Sequence, residues 1–312
     1  MKALVASLAL VLALPAAPAR ADAAPTQQDA WVFLDATNAE DQVIRLQQPG
    51  SYPHAVESAR NTGYFDGLSV SRDGKRFVYH ATRTEGGAGT WTALDVRSAS
   101  GPLAYLVRHY EYSPSGAYYD TMPELSPAGT RLVWTPVSKG TTKAIELSEL
   151  SRKYVVATLA GTEGLTAQCW LTGHWLLASN ADGIVTTSAW GGGPHTPVDG
   201  LGTSDSAFSV SPDGHSLAWS RNTGTSTADV YVAGFSVDGA GLVQLSGITQ
   251  LVTGGDNVSP TWSRDGQRID FIQDGHRATV AKVGGTAAVF SSVLTASQIV
   301  DVNPTPHVDP LP

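Results

Sequence analysis

Val70-Ser71-Arg72-Asp73-Gly74-Lys75-Arg76-Phe77-Val78-Tyr79 is a phrase that this chain repeats. It returns as Leu125-Ser126-Pro127-Ala128-Gly129-Thr130-Arg131-Leu132-Val133-Trp134 and as Val210-Ser211-Pro212-Asp213-Gly214-His215-Ser216-Leu217-Ala218-Trp219. The last clear copy is Trp262-Ser263-Arg264-Asp265-Gly266-Gln267-Arg268-Ile269-Asp270-Phe271, and a worn one, Trp170-Leu171-Thr172-Gly173-His174-Trp175-Leu176-Leu177-Ala178, lies between the second and third. The turn glycines Gly74, Gly129, Gly173, Gly214 and Gly266 stand 41 to 55 residues apart. That is the period of a propeller blade built from four strands.

Each copy describes two extended segments joined by a tight turn. The glycine supplies the positive φ that other residues resist. Where Pro precedes it, the ring pre-sets the turn, and Ser or Asp bonds back to the main chain. Phe77 and Tyr79, Leu132 and Trp134, Leu217 and Trp219, and Ile269 and Phe271 are each two apart. Each pair therefore shares one face of its sheet and is expected to pack blade against blade.

The two ends of the chain complete each other. The strand-like Trp31-Val32-Phe33-Leu34-Asp35 and Gln42-Val43-Ile44-Arg45-Leu46 have no turn motif before them. Asp301-Val302-Asn303-Pro304-Thr305-Pro306-His307 resembles Asp256-Asn257-Val258-Ser259-Pro260-Thr261-Trp262, yet no turn follows it. The expectation is an interlock in which a strand near Asp301–His307 becomes the innermost strand of a blade begun by residues 30–58. This closes the ring and removes its open edge. Five turn-bearing blades and the shared one make six: an all-β, six-bladed propeller of four-stranded antiparallel blades over 30–308.

Residues 1–21 read as a secretory signal. Met1-Lys2 precedes an apolar run from Ala3 to Ala17 and a small-x-small site at Ala19-Arg20-Ala21. The run falls short of the roughly 20 residues that span a bilayer. A short linker, 22–29, follows, and 309–312 form a tail. The expected location is therefore secreted or periplasmic. Loss of Lys2 and Arg20 with the leader takes the net charge from −8 to −10. That sign disfavours nucleic acid and anionic membranes as partners. The single cysteine, Cys169, allows no internal disulfide, and no feature points to an oligomeric state.

The pattern Asp-x-x-Pro-x-(Trp/Leu)-Ser-x-Asp-Gly-x-x-(aliphatic)-x-(aromatic) resembles the TolB-type propeller repeat, also found in the propellers of prolyl-oligopeptidase-like enzymes. The resemblance implies the propeller fold over nearly the whole mature chain. The chain departs from TolB in having only about eight residues between Ala21 and the first strand, where that family carries a further domain. It departs from the peptidases in having no Gly-x-Ser-x-Gly elbow.

Chain direction places the start of each inner strand on one face of the ring. Asp66, Asp120, Glu163, Asp205, Asp256 and Asp301 precede the repeated turns or their C-terminal echo. One reading makes them an acidic collar at the channel mouth, holding a cation, an amine or a sugar hydroxyl. The other makes each a local cap, bonded to main chain where its strand begins. Two loops expected on the same face are aromatic, one with Tyr52 and Tyr64, the other with Tyr110, Tyr112 and Tyr119. Such tyrosines stack on sugar rings or grip a protein surface. His80 and Arg221 follow second strands near this mouth. No paired histidine spacing or Asp-x-Asp-x-Asp-Gly loop calls for a metal, and no motif calls for a cofactor.

These features lead to a binding module without catalytic activity, whose partner is a glycan or an extracellular or periplasmic protein held at the channel mouth. A polysaccharide lyase or hydrolase using a Tyr/His pair or two mouth carboxylates is the alternative. An envelope scaffold that docks a peptide into the channel is a third reading.

Overall fold

The computed structural model describes residues 30–35, 42–47, 52, 54–58, 63–84, 90–99, 105–113, 118–151, 156–224, 227–289 and 296–302. The leader, the linker 22–29 and the tail expected from the sequence lie outside these residues. Among the described residues every regular element is a strand, and the strands form six antiparallel sheets. Blade 1 holds Ala30–Asp35, Val43–Gln47 and His54–Ser58; blade 2 runs from Gly63 to Ser113. Blade 3 runs from Tyr118 to Thr158, and blades 4, 5 and 6 begin at Thr166, Asp205 and Asn257. Blade 3 departs from the four-strand plan, because Thr141–Thr142 folds back on Val137 and Ser138 as a fifth, two-residue strand.

Turn chemistry explains the repeated phrase. The Ser71 amide donates to the Arg76 carbonyl at 2.9 Å, and the Ser71 hydroxyl donates to Asp73 at 2.6 Å. Asp73 also accepts the Lys75 amide at 3.0 Å. The same Ser-to-Asp bond recurs at Ser211–Asp213 and Ser263–Asp265. Gly74, Gly129, Gly214 and Gly266 take φ of 71°, 62°, 78° and 66°, as their turns demand. Gly173 differs: it is not in the left-handed region. Its turn is one residue shorter, the Leu171 amide donating to the Trp175 carbonyl, so no left-handed residue is needed.

The paired apolar residues form the seams between blades. Phe77, Tyr79, Leu132, Trp134, Leu217, Trp219, Ile269 and Phe271 are buried almost completely. Each such side chain contributes about 2–3 kcal/mol as an upper estimate. The arginine that opens the second strand ties neighbouring turns together: Arg76 donates to the Gly129 carbonyl and Arg131 to the Gly173 carbonyl. Arg131 is stacked between the Trp170 and Trp190 rings, 4.8 and 5.0 Å from their centroids.

The ring closes through its ends, as expected, with a strand that begins at Ala296. Ala296–Val302 pairs antiparallel with Ala30–Asp35 and becomes the inner strand of blade 1; of the stretch expected near Asp301–His307, Asp301 and Val302 belong to it, and residues 303–307 lie outside the described residues. The Trp31-Val32-Phe33 triplet matches Phe77-Val78-Tyr79, and Trp31 and Phe33 pack on Ile272 of blade 6. Arg277 of blade 6 caps Trp31 at 3.3 Å from the ring centre. Matching these triplets puts Asp301, opposite Trp31, at the turn-side end of its strand.

Candidate functional site

The inner strands Gly63–Val70, Tyr118–Leu125, Thr166–Trp170, Asp205–Val210 and Asn257–Trp262 border a cavity of about 390 Å³. One residue of each strand lies at the same height, fixed by its partner on the second strand. The pairs are Ser69 with Val78, Glu124 with Val133, Cys169 with Leu177, Ser209 with Ala218, and Thr261 with Asp270. All five inner-strand residues line the cavity as a polar girdle. In blade 1 the matching register position is Val300, opposite Val32.

A bulge precedes the girdle residue in every one of these five strands. In four it contains a left-handed residue: Gly67, Met122, Ala207 and Ser259, with φ of 61°, 49°, 53° and 53°. Three of these are not glycine, and each such conformation costs about 1 kcal/mol or more. Strained backbone repeated at one height around a channel marks a place where direction matters more than local stability. At Gly67 a side chain is excluded outright, because a Cβ would lie 2.4 Å from Pro123 of the next blade. Indoles lock two girdle residues from the neighbouring blade: Trp170 Nε1 donates to the Glu124 carbonyl and Trp262 Nε1 to the Ser209 carbonyl, both at 3.0 Å.

Glu124 is the girdle's one acid. The Ser69 hydroxyl donates to its Oε2 at 2.7 Å, and among the described residues nothing else bonds its carboxylate. The residue is half-buried on the cavity wall, and the loss of solvent around its carboxyl group pushes the pKa up to about 8 against the opposing Ser69 bond. Burial and the neighbouring Glu124 also raise the Cys169 thiol well above its ordinary range, with Arg72 acting the other way. At the turn-side end two arginines brace the channel. Arg72 Nη2 donates to the Leu171 carbonyl at 3.0 Å, and Arg264 Nη1 donates to the Arg72 carbonyl at 3.0 Å. Burial lowers the pKa of Arg72.

The acids singled out from the sequence do not share one position. Asp120 and Asp205 match in register, each buried, opposite Pro136 and Arg221. In blade 6 that place belongs to Asn257, and Asp256 stands just outside the strand. Asp66 pairs with His80, one register step further along its strand than Asp120 and Asp205 along theirs. Glu163 is exposed in a turn. Asp205 is bonded within its own blade: it accepts Trp219 Nε1 at 3.0 Å, the Gly202 amide at 2.8 Å and Arg221 Nε at 2.6 Å. Bonding to Asp205 holds Arg221 above its ordinary pKa, and the guanidinium also lies 4.8 Å over the Tyr231 ring. His80 is fully buried, its Nε2 3.5 Å from the Thr82 hydroxyl.

Tyr52 is 94% exposed and Tyr119 37%. The side chains of Tyr64, Asp66, Tyr110, Tyr112 and Asp301 lie outside the described residues. The backbone corrects one expectation: Tyr110 and Tyr112 belong not to an entering loop but to Tyr105–Ser113, the outermost strand of blade 2, opposite Ala93 and Trp91. Its β-branched and aromatic content favours a strand there. Among the described residues no group of three His, Cys, Asp or Glu could hold a metal ion, and no helix is long and apolar enough to cross a membrane.

No family model and no curated protein matches the chain. Solved structures do. TolB from Acinetobacter baumannii superposes with a TM-score of 0.64 at 17% identity, over 89% of this chain and 67% of that one. The fold is that of a TolB-like propeller. A protein assigned to TolB from Agrobacterium tumefaciens gives 0.53 at 14% identity, over 86% of this chain and 90% of that one. A chain of a nidogen–laminin complex gives 0.56 at 12%, over 88% and 98%. At these identities the TolB-like likeness is one of fold alone. Sequence reasoning missed the girdle, although its signal is present: Ser69, Glu124, Ser209 and Thr261 each stand two residues before the motif serine.

Proposed function

We propose that this protein is a secreted binding module whose protein partner inserts a segment into the central channel. The carrying observation is the cavity of about 390 Å³, ringed by five blades and aimed by repeated strained bulges, with an uncompensated carboxyl group on its wall. Strain kept at a concave polar site is what ligand binding would retain. The leader-like residues 1–21 support export to the periplasm or beyond, with cleavage after Ala21. One propeller with a similar fold comes from a nidogen–laminin complex, so the architecture accommodates protein recognition.

A glycan held by surface tyrosines is the second reading, favoured by the full exposure of Tyr52. The test is capture by immobilised mature chain from extracellular and envelope fractions, beside a glycan array. The control is Ser209→Trp, whose indole fills the channel at the girdle. A protein retained by the unmodified chain and lost with Ser209→Trp supports insertion. A ligand retained equally by both places recognition outside the channel. N-terminal sequencing of the exported chain should begin at Asp22.

A further inference from the structure

We propose that the channel receives a lysine side chain of the partner, its ammonium seated against Glu124 within the girdle hydroxyls of Ser69, Ser209 and Thr261. This inference rests on the channel-binding reading and names the chemistry of that site. Glu124 has one carboxylate oxygen bonded to Ser69 and the other without a protein partner among the described residues. A half-buried carboxyl group in a cavity wall, with no cation beside it, is an unfinished ion pair. The charged groups near it do not complete it. Arg72 and Arg264 direct N–H groups to the carbonyls of Leu171, Arg72 and Trp262 at the turn-side end. Cys169, beside Glu124, is held as a neutral thiol.

The shape and polarity fit a lysine. Its compact ammonium has three N–H donors, and the girdle offers a carboxylate and hydroxyl oxygens as acceptors. Its four-carbon stem would lie against Phe208 and Val258, which line the same cavity on the side of the girdle away from the turns. The braced arginines repel a cation at the far end, which stops the side chain at the girdle. An arginine fork needs coplanar bidentate acceptors, and with one Glu124 oxygen engaged by Ser69 that pairing is weakened.

Binding is linked to a proton. Glu124 is mostly protonated at pH 7, and the arriving ammonium, which keeps its own three protons, stabilises the carboxylate. The carboxyl O–H bond therefore breaks and its proton passes to solvent. At pH 7 about 0.9 proton is released per lysine bound.

The probe is N-acetyl-lysine-N-methylamide, compared with its Nε-acetylated form and with the norleucine analogue. Titration calorimetry at pH 7 in phosphate and in Tris, whose ionisation enthalpies differ, counts the proton. Carboxyl ¹³C NMR of the unmodified protein follows Glu124 directly. The expected results are release of close to one proton and at least about tenfold weaker binding of both analogues. The Glu124 midpoint should move down by about one pH unit at tenfold excess over Kd. Glu124→Gln, which can still bond Ser69 and should melt normally, should lose at least about tenfold in affinity. Equal binding of the acetylated probe, no proton release, an unmoved Glu124 signal, or no binding up to ~50 mM probe overturns the proposal. If a partner is lost with Ser209→Trp but unaffected by Glu124→Gln, the lysine assignment fails while channel insertion stands. If Ser209→Trp retains the partner, channel insertion itself fails.

Discussion

Replacing Glu124 by Gln isolates the cost of keeping a carboxyl group in the channel wall. In the folded protein its pKa lies at about 8, against an ordinary value of 4.5, because burial disfavours the charged form. The folded state therefore holds this proton more tightly than the unfolded chain does. Stability is fully present below about pH 4.5, declines as pH rises, and is flat again above about pH 8. The full difference corresponds to a ceiling of about 5 kcal/mol. Water entering the cavity screens the carboxylate, so about 2–3 kcal/mol is the expected loss between pH 5 and pH 8.5. For a chain of this size that is a fall of about 4–6 °C in Tm. Gln keeps the shape and the Ser69 bond but has no proton to lose. Calorimetric melts of both proteins at pH 5 and pH 8.5 cancel every other titrating group. The Tm of Glu124→Gln relative to the parent should rise by about 4–6 °C between the two pH values. Parallel curves would refute the desolvated, uncompensated state of the Glu124 carboxyl group and the pairing argument built on it.

Asp205→Asn breaks the ion pair with Arg221 and weakens the bond from Trp219. With Arg221 partly open to water, the cost should be about 2–3 kcal/mol in chemical denaturation, with binding at the channel unchanged. Ala207→Gly should stabilise the protein by about 0.5–1 kcal/mol, since relief at φ 53° outweighs glycine's entropy; a fall in Tm would deny the strain at this bulge. Gly241→Ala should cost about 2 kcal/mol or more, because the new Cβ would lie 2.6 Å from the Trp175 ring at a φ of 86°. An unchanged melt for Gly241→Ala would show that the seam between blades 4 and 5 yields more easily than its packing indicates.

The fold was legible because its determinants are local. Ser71, Asp73 and Gly74 satisfy one turn within a few residues, and the same chemistry recurs wherever the phrase does. The site was harder to read because it depends on register. Counting back from the motif serine, Asp120 and Asp205 stand six residues away but Asp66 only five, so the strand acids differ by one register step, and Asp66 pairs with His80 rather than with the counterpart of Arg221. The same offset replaces Asp256 by Asn257 in blade 6. Tyr105–Ser113 failed for another reason: its aromatic richness reads equally as a binding loop or as an outer strand, and only pairing with Thr90–Ser98 decides. Glu124 was within reach, since aligning the repeats two residues before the serine shows Ser, Glu, Ser and Thr.

That alignment also separates what holds the propeller from what differentiates it. In the clear copies the positions occupied by Ser71, Gly74 and Phe77 close the turn and fill the seam. The girdle position carries Ser, Glu, Cys, Ser and Thr with the same kind of bulge before each. Blade 4 makes the point most sharply. Its turn is one residue shorter and lacks a left-handed glycine, yet Cys169 still reaches the cavity at the height of Glu124. The height of the girdle is therefore set by strand pairing and the bulge rather than by the turn. A side chain there can change while the blade keeps its fold, so the chemistry of recognition can vary at this one level of the channel at little structural cost. A single carboxyl group among hydroxyls and a thiol is a specific choice within that freedom, and it is the feature on which the proposed lysine recognition rests.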